Sequence, residues 1–273
     1  MVIMKDRKVS VIINTYNRGL LLIKAIRSVL EQKNVEFEII VVDDNSSENV
    51  FELLIAELPS SEFKYHRNNS NMGLSKSRQI GVHLAKYKYI AFLDDDDYWI
   101  DPNKLYKQLD VIESEHADAV CTNIIEFSDN SNCKKEIDWP ENLDRHFLIG
   151  NGVIYPSTIL IKKEAIVLSG GFDYKFTRGI DSDLYRRMLW LYGLKIVHFP
   201  GFTTMYRVDG NDKITDFTSI EGYKKDFFSN CRTLIKYKKI YVRNPKEFLL
   251  KINVIYKIFK QIVEVKIKNN SFK

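Results

Sequence analysis

Cysteine is scarce in this chain of 273 residues, with only Cys121, Cys133 and Cys231. An odd number of widely spaced cysteines without metal-ligand spacing argues against a disulfide or zinc framework, and it fits a reducing cytoplasm. Repeats and low-complexity tracts are also lacking, while 45% hydrophobic and 28% charged residues are typical of a folded protein. The length therefore indicates one large domain or two small ones.

Long apolar runs are missing as well. The longest stretches fall far short of the ~20 residues that a bilayer-spanning helix needs. Residues 1–17 lack the apolar core and the small-residue cleavage site of a signal peptide. We therefore expect a cytoplasmic chain whose contact with a membrane, if it has one, is peripheral and at the inner face of the cytoplasmic membrane.

Acidic residues are rare near the C-terminus. Residues 224–273 hold 14 Lys/Arg and 3 Asp/Glu, a net charge of +11, whereas the rest of the chain carries −6. Residues 246–268 combine a broad apolar face with a polar one, which leaves two interpretations open. This helix packs on the rest of the chain or on a second subunit of a homodimer, or it lies on an anionic membrane surface. The apolar content and the lack of a known motif argue against nucleic acid as a partner.

Short β-branched segments alternate with helical periodicity over the first hundred residues. Strands are predicted at 9–13, 37–42, 63–66 and 89–93, and helices near 20–32, 48–57 and 74–85. The segment Asn45–Ser47 has the composition of a turn and of a helix N-cap. This alternation predicts an α/β fold with an open, mostly parallel sheet flanked by helices.

The second half of the chain is less regular. Its pattern predicts helices at 103–115 and 181–190, strands at 119–121 and 158–161, and a polar loop at 128–150. After about residue 217 the chain is typical of two basic helices, broken near Asn244 and Pro245.

Polar residues follow three of the predicted strands: Asn14–Asn17, Asp43–Asp44 and Asp94–Asp97. Ligands of open α/β sheets bind outside the carboxyl ends of the strands, so these segments are candidates for one shared site. The pair at 43–44 could accept hydrogen bonds from a base or ribose, or could help to cap the next helix. Tyr16 could stack on a flat base or pack against the first helix.

The run Asp94–Asp97 places four carboxylates side by side. Their mutual repulsion raises their pKa values, and a bound Mg²⁺ or Mn²⁺ would relieve it. Side chains alternate along an extended segment, so Asp94 and Asp96 form one pair. The run alone leaves a second interpretation open, a solvated acidic turn in which Asp97 or Asp101 caps the following helix.

Taken together, these segments resemble a known family. VSVIINTYNR, EIIVVDDNSS, NMGLSKSRQIG and YIAFLDDDDYWIDPNKL occur in the order and spacing of the inverting glycosyltransferase family two. GGFDYKFTRGIDSDLYRRM at 170–188 and MYRVDGND at 205–212 extend the resemblance to about residues 8–212. The resemblance implies the Rossmann-like, A-type nucleotide-diphospho-sugar transferase fold. It also implies a catalytic domain at 1–212, with a nucleotide-sugar-binding half at 1–115 and an acceptor-binding half at 116–212, and a basic helical extension at 213–273.

The resemblance implies a role for each matching residue. Thr15 and Tyr16 would line the base pocket, with the Tyr16 ring against uracil. Asp44 would bind the base, with Asp43 as the fallback. Gly73 would let the backbone approach the nucleotide.

Further roles follow from the same resemblance. Arg78 would reach the phosphates or the sugar of the donor, and Arg207 would approach the diphosphate or the acceptor. Asp94 and Asp96 would hold Mn²⁺ or Mg²⁺, with Asp96 the more direct ligand, Asp94 nearer the ribose, and Asp95 also part of the nucleotide-sugar site.

Asp181 stands where the family has its catalytic base. Ile180 precedes it where the family often has Glu, and a register shifted by two residues would make Asp183 the base instead. Asp209 replaces a histidine that often follows the Tyr-Arg pair, which puts metal or diphosphate contacts there in doubt.

The function implied by the resemblance is inverting, metal-dependent transfer of a hexose or N-acetylhexosamine from a UDP-sugar. The acceptor would be a lipid-diphosphate-linked saccharide of O-antigen or capsule assembly. A nucleotidyltransferase would need a Gly-rich basic segment after the first strand, and residues 14–18 do not provide one. A catalytically inactive nucleotide-sugar-binding module with a membrane-docking tail is the alternative from another class.

Overall fold

The computed structural model describes residues 7–128, 131–150, 152–209 and 219–270, with side chains up to residue 267. Nine strands lie within these ranges: β1 Lys8–Thr15, β2 Glu36–Asp43, β3 Lys64–Arg67, β4 Tyr89–Asp94, β5 Tyr98–Trp99, β6 Ala119–Ser128, β7 Ser131–Lys135, β8 Leu160–Lys162 and β9 Ile196–Arg207. The same ranges contain ten α-helices: α1 Gly19–Leu30, α2 Val50–Glu57, α3 Leu74–Leu84, α4 Lys104–Ser114, α5 Leu143–Ile149, α6 Lys163–Leu168, α7 Ile180–Tyr192, α8 Ile220–Lys236, α9 Lys238–Arg243 and α10 Pro245–Asn270.

The strands form one sheet in the order β3-β2-β1-β4-β8-β6-β9-β5, with β7 paired to β6. The first four strands are mutually parallel. β8 runs antiparallel to both β4 and β6, and β9 returns parallel to β6. The predicted α/β class with a mostly parallel sheet and C-terminal helices is confirmed, and a mixed region is added to it. A single sheet therefore joins the two halves proposed for the catalytic domain.

Apolar residues cover both faces of the sheet because alternate side chains of a strand point to opposite faces. On β1, Val9, Val11 and Ile13 pack with α1, α2 and α4 in one cluster. Ile12 belongs to the opposite cluster, with α3 and α7. Gly81 lets α3 approach this strand closely, since a Cβ there would lie 2.4 Å from Ile12 Cγ2. This packing fixes α3, and so Arg78, against the centre of the sheet.

The middle of the chain is more structured than its sequence pattern indicates. The predicted polar loop at 128–150 is wrong in part, because β7 and α5 lie within it. Phe147 and Leu148 of α5 are fully buried, so tertiary packing stabilises a helix that is too short for a clear periodic signal. The pattern also left β5, α6 and β9 unpredicted.

The N-cap expected within Asn45–Ser47 is likewise wrong. Asn49 caps α2, and its side chain accepts a hydrogen bond from the Glu52 amide. Ser46 instead closes a turn onto Asp43, whose carboxylate accepts from the Ser46 amide.

The C-terminal extension consists of α8, α9 and α10, and the predicted break near Pro245 lies between the last two. α10 packs along α8 and against α5. Lys251 of α10 is buried there and donates to the Ile149 carbonyl at 3.2 Å. The predicted domain boundary at 212/213 and part of the motif at 205–212 lie outside the described residues. Across the described ranges, every helix falls short of the length or the hydropathy of a membrane-spanning segment.

Candidate active site

The three polar segments singled out in the sequence meet at one edge of the sheet. β2, β1 and β4 are adjacent and parallel, so their carboxyl ends lie side by side. Thr15 is in register with Asp43 on one side, and Asn14 with Asp94 on the other. The fold therefore places these three segments side by side, and their polar groups form a single row.

The acidic run forms the turn between β4 and β5, and its members differ in exposure. The side chains of Asp94 and Asp96 are 31% and 18% exposed. Asp95 and Asp97 are buried. Two carboxylates of the run are therefore partly exposed to solvent, while the other two lie within the protein.

Asp97 is held by groups from two distant segments. Its carboxylate accepts from Ser157 Oγ at 2.5 Å and from the Arg207 amide at 2.9 Å. Ser157 Oγ also accepts from the Asp94 amide at 3.0 Å. Burial, followed by the charges of Asp94 and Asp96, raises the pKa of Asp97 well above its usual range. A buried, hydrogen-bonded carboxyl in this position fixes the shape of the turn.

Arg18 compensates part of the negative charge of the run. Its Nη1 lies 3.0 Å from Asp95 Oδ1 and 3.1 Å from Asp96 Oδ2. Burial raises the pKa of Asp95 to about 7 against the opposing charge of Arg18. Asp95 was assigned to the nucleotide-sugar site by resemblance, and the structure places it in this buried contact.

Arg78 joins the acidic run to α7. It is almost fully buried, and its Nη2 donates to Asp94 Oδ1 at 2.7 Å while its Nη1 donates to Asp181 Oδ1. Although burial alone would lower the pKa of Arg78, the charges of Asp181 and Asp94 raise it above its ordinary value. The guanidinium is thus permanently charged and shared by two carboxylates 87 positions apart in the sequence. Contact of Arg78 with phosphates stays a prediction.

Asp181 is the second residue of α7, which begins directly after Gly179, whose φ of +63° is in the left-handed region. Burial raises the pKa of the Asp181 carboxyl, the cation of Arg78 opposes this shift, and the charge of Asp94 adds to it. A carboxylate with a raised pKa is a stronger base than an ordinary aspartate. The geometry therefore provides a partly exposed basic group beside the acidic run.

Asp183 has a different environment, although it is only two residues away. It is fully buried, and it accepts from Arg187 Nε at 3.0 Å, Lys236 Nζ at 3.0 Å and Tyr237 Oη at 2.7 Å. Two of these donors belong to the C-terminal extension. A fully buried carboxylate engaged by three donors, two of them buried, is a structural anchor, so the geometry favours Asp181 over Asp183 as the candidate base.

The two aspartates at the end of β2 organise the surrounding backbone. Asp43 accepts from Ser46 and from Tyr65 Oη at 2.5 Å. Asp44 accepts from the amides of Met72 and Gly73, each at 2.8 Å, and from the Asn68 side chain. Asp44 therefore positions the loop before α3, and its contact with a base stays a prediction.

Three further residues have roles near the nucleotide that the resemblance implies, and they differ in exposure and in backbone conformation. Tyr16 is half-exposed, as a ring available for stacking must be, and Thr15 is buried. Gly73 has φ +83°, and a Cβ placed there would meet no atom within 4 Å. The position thus combines a left-handed backbone with open space, which is the environment that a close backbone approach requires.

Both the backbone and the side chain of Arg207, the last residue of β9, are held by aspartates. Its amide binds Asp97, and its Nε donates to Asp209 Oδ1 at 2.9 Å. Asp209 stands where the family often has a histidine. Its ion pair with Arg207 orients the guanidinium, to which the resemblance gives a contact with the diphosphate or the acceptor.

The donor set fits a divalent cation brought by a nucleotide. Within the described ranges, the protein offers no cluster of three or more His, Cys, Asp or Glu side chains arranged around a metal. Mg²⁺ is commonly held by one or two carboxylates together with substrate phosphates, and Asp94 and Asp96 are two such carboxylates. Burial, and then the charges of Asp94 and Asp96, raise the pKa of Asp97, and a cation would offset the negative charge of those two carboxylates.

Sequence patterns missed three groups that shape the site. Ser157 lies in a short 3-10 turn, Pro156–Thr158, for which no motif signals a contact with the acidic run. Arg18 follows Tyr16 closely, but nothing in the spacing links it to residues 95–96. Tyr206 packs edge-on against Tyr155 with ring centroids 4.8 Å apart, and burial followed by the charges of Asp94 and Asp97 raises its pKa.

Comparison with solved structures supports this fold. The crystal structure of residues 1–349 of S. aureus TarS in complex with UDP-GlcNAc aligns with 83% of the chain and covers 66% of its own length. The TM-score is 0.65 at 18% sequence identity. At this identity the likeness shows the fold alone.

Relatives found by comparing sequences have a higher identity to this chain than the solved structure does. The Escherichia coli protein WfgD, named UDP-Glc:alpha-D-GlcNAc-diphosphoundecaprenol beta-1,3-glucosyltransferase, is 30% identical over 88% of this chain and 94% of its own. A glycosyltransferase of Haemophilus influenzae is 30% identical over 71% of this chain and 63% of its own. A glycosyltransferase of Rickettsia bellii is 40% identical over 114 residues, and the chain spans only 16% of its length. The model of glycosyl transferase family 2 matches residues 10–169. The chain belongs to glycosyl transferase family 2.

Proposed function

We propose that the chain transfers a sugar from a UDP-sugar to a lipid-diphosphate-linked saccharide, with inversion at the anomeric carbon. One observation carries the proposal: Arg78 brings Asp181 and Asp94 together at the carboxyl edge of the sheet. The predicted base and the predicted donor-binding acid thus share one site. The names of WfgD and WfaP, both UDP-Glc transferases that act on GlcNAc-diphosphoundecaprenol, support this acceptor class.

In the proposed donor complex, the ring of Tyr16 stacks on uracil beside Thr15, and the loop held by Asp44 lies along the nucleotide. Asp94 and Asp96 would hold Mn²⁺ or Mg²⁺, and the cation would supply positive charge to offset that of the departing diphosphate. Arg207, oriented by Asp209, approaches the diphosphate or the acceptor.

In the transfer step, an acceptor hydroxyl attacks the anomeric carbon. The new bond joins the acceptor oxygen to that carbon, the bond to the diphosphate oxygen breaks, and its electron pair leaves with UDP. The Asp181 carboxylate takes the hydroxyl proton, for which its raised pKa is suited. One displacement inverts the anomeric centre, whereas retention would call for a second carboxylate close to the sugar. Asp183 is unsuited to that role because it is buried among cations.

The test is a panel of UDP-sugars with a soluble analogue of a lipid-diphosphate-linked GlcNAc, assayed with Mn²⁺ and with chelator. Asp181→Asn keeps the size of the side chain and removes the base, so we expect at least a ~100-fold loss of kcat with UDP affinity retained. Asp110→Asn is the matched control, since Asp110 pairs with Arg7 at the surface and should leave turnover unchanged.

Two results would contradict the proposal. Absence of transfer and of hydrolysis with every UDP-sugar would favour the nucleotide-sugar-binding module. Full activity of Asp181→Asn would place the base elsewhere. The stereochemistry of the product, read by NMR, decides between inversion and retention.

A further inference from the structure

α10 has two adjacent stripes of side chains, and only one of them is covered by the residues that the structure describes. At about 100° per residue, the buried side chains of α10 fall within an arc of about 60°. They are Glu247, Lys251, Ile258 and Ile262. This arc faces α5 and α8, where Lys251 donates to Asn230 Oδ1 at 2.7 Å and Glu247 pairs with Arg145 at 3.7 Å. The packing expected from the sequence therefore uses one side of the helix.

The second stripe lies next to the first and is open. It spans about 100° of the helix surface. Its members, the exposed stripe, are Phe248, Leu249, Ile252, Tyr256, Phe259, Val263 and Ile267. Leu249, Tyr256 and Ile267 are 66%, 63% and 60% exposed. Seven large apolar side chains on one face of a helix exceed the scattered exposure that is normal on a protein surface.

Aromatic residues continue this surface onto α8. The ring of Phe259 lies 6.1 Å from that of Phe227, which in turn packs edge-on against Phe228. Phe228 is itself exposed. The apolar surface is therefore broader than a single helix face.

Lysines border the exposed stripe. Lys260 and Lys257 follow it on the side away from the packed arc, and Lys266 lies at its opposite edge. All three are exposed, and residues 224–273 as a whole carry a net charge of +11. An apolar face bordered by lysines is typical of a helix that lies in the interface of an anionic bilayer. A second copy would bring lysine edges of the same sign together, so the charge pattern disfavours an α10–α10 dimer.

We propose that the exposed stripe of α10 docks the protein on an anionic lipid surface, with its apolar side chains among the acyl chains and its lysines among the headgroups. This inference deepens the proposed function and rests on it in one respect, since it places the site at the surface where a lipid-linked acceptor would lie. Lys236 of α8 binds Asp183 of α7, so the docked extension is joined rigidly to the helix that carries Asp181.

The experiment is sedimentation of the full chain with vesicles of phosphatidylcholine alone and with one-third phosphatidylglycerol. We expect binding to the anionic vesicles that weakens with salt. The triple variant Leu249→Gln, Tyr256→Gln, Phe259→Gln should lose at least tenfold in affinity. Lys257→Gln, Lys260→Gln, Lys266→Gln should lose roughly 100-fold, at about 1 kcal/mol per charge. The matched control, Val167→Gln, Leu168→Gln, Leu191→Gln, alters exposed apolar residues outside the extension and should bind as the original chain does.

Equal binding of the stripe variants and the control would overturn the proposal, as would absence of binding to anionic vesicles. Sedimentation without lipid tests the other occupant: self-association abolished by the stripe substitutions would assign this face to a second copy. Transfer to a soluble acceptor analogue separates the two hypotheses. Activity without vesicle binding overturns docking alone, and vesicle binding without activity overturns the proposed transfer alone.

Discussion

Arg78→Met removes the cation that joins Asp94 to Asp181 while it keeps a long, buried side chain. Arg78 is the principal influence that lowers the pKa of Asp181, acting against burial and the charge of Asp94. Without the guanidinium, burial and the charge of Asp94 remain, and both raise the pKa of Asp181. The proton affinity of Asp181 must therefore rise.

The expected rise in the pKa of Asp181 follows from the direct contact between its carboxylate and the Arg78 guanidinium. An opposite charge within ~4–6 Å lowers a carboxyl pKa by about 1–3 units, so its loss raises the pKa of Asp181 by a similar amount. The substitution also leaves Asp94 and Asp181 without their shared partner. Because these carboxylates are 31% and 20% exposed, solvent screens part of the ~3–5 kcal/mol that such a loss costs in a fully buried pair. The variant is therefore expected to be less stable as well as less active near neutral pH.

The assay is the pH dependence of kcat/KM for sugar transfer, measured well below the melting temperature of each variant. Activity should rise as Asp181 loses its proton, and this acidic limb should move upward by about 1–3 pH units in Arg78→Met. Arg187→Met is the matched control. Arg187 is a buried arginine on the same helix as Asp181, but its carboxylate partner is Asp183. Its loss should lower stability without moving the acidic limb.

A shift of the same size in both variants would refute the reasoning, because it would show that loss of stability alone moves the profile. So would a lower kcat in Arg78→Met with an unmoved acidic limb, since Arg78 would then act on substrate and not on the charge of Asp181. That second result would instead favour the role implied by resemblance, contact with the phosphates or sugar of the donor.

Two further expectations concern the cation and the extension. Asp96→Asn should weaken Mn²⁺-dependent UDP binding by on the order of tenfold or more, measured by calorimetry, and unchanged binding would remove Asp96 from the metal site. Burial lowers the pKa of Lys251 to about 7. Because this folded-state pKa lies below the unfolded value of about 10.4, the unfolded chain holds more protons between those limits, and stability rises with pH from about 7 to about 10. Urea unfolding of Lys251→Met should lack this rise, which amounts to as much as about 4 kcal/mol; a parallel pH dependence in both proteins would show that Lys251 is charged when folded.

The sequence predicted the fold best in the first hundred residues, where the spacing of apolar residues and the position of polar residues after each strand are regular. β1 and β2 are short runs rich in β-branched residues, and helices separate β1, β2, β3 and β4 along the chain. Such a pattern leaves few topologies other than adjacent parallel strands. The polar residues that follow them had to meet at one edge once the strands were parallel. This is why Tyr16, Asp44 and Asp94 could be grouped without coordinates.

Other parts of the site depend on long-range contacts that no local pattern encodes. β9 carries Arg207 to Asp97, and its pairing with β6 includes a register irregularity that breaks simple alternation. Ser157 reaches the same aspartate from a turn that is 60 positions away. Arg78 is similar: its sequence neighbourhood marks it as a helical residue near a nucleotide loop, and only the fold shows that its two nitrogens face two acids.

α7 explains why the extension belongs to the architecture of the site. Two residues along a helix differ by about 200° in direction, so Asp181 and Asp183 face opposite sides. Asp181 faces Arg78 at the sheet edge, while Asp183 faces Lys236 and Tyr237 of the extension. Because Asp183 is fully buried, the loss of its cationic partners would leave an uncompensated charge beneath the candidate base. The basic extension therefore has two distinct surfaces: its inner surface neutralises and holds α7, and its outer apolar stripe, exposed in the part of the chain that the structure describes, is the proposed lipid-docking face.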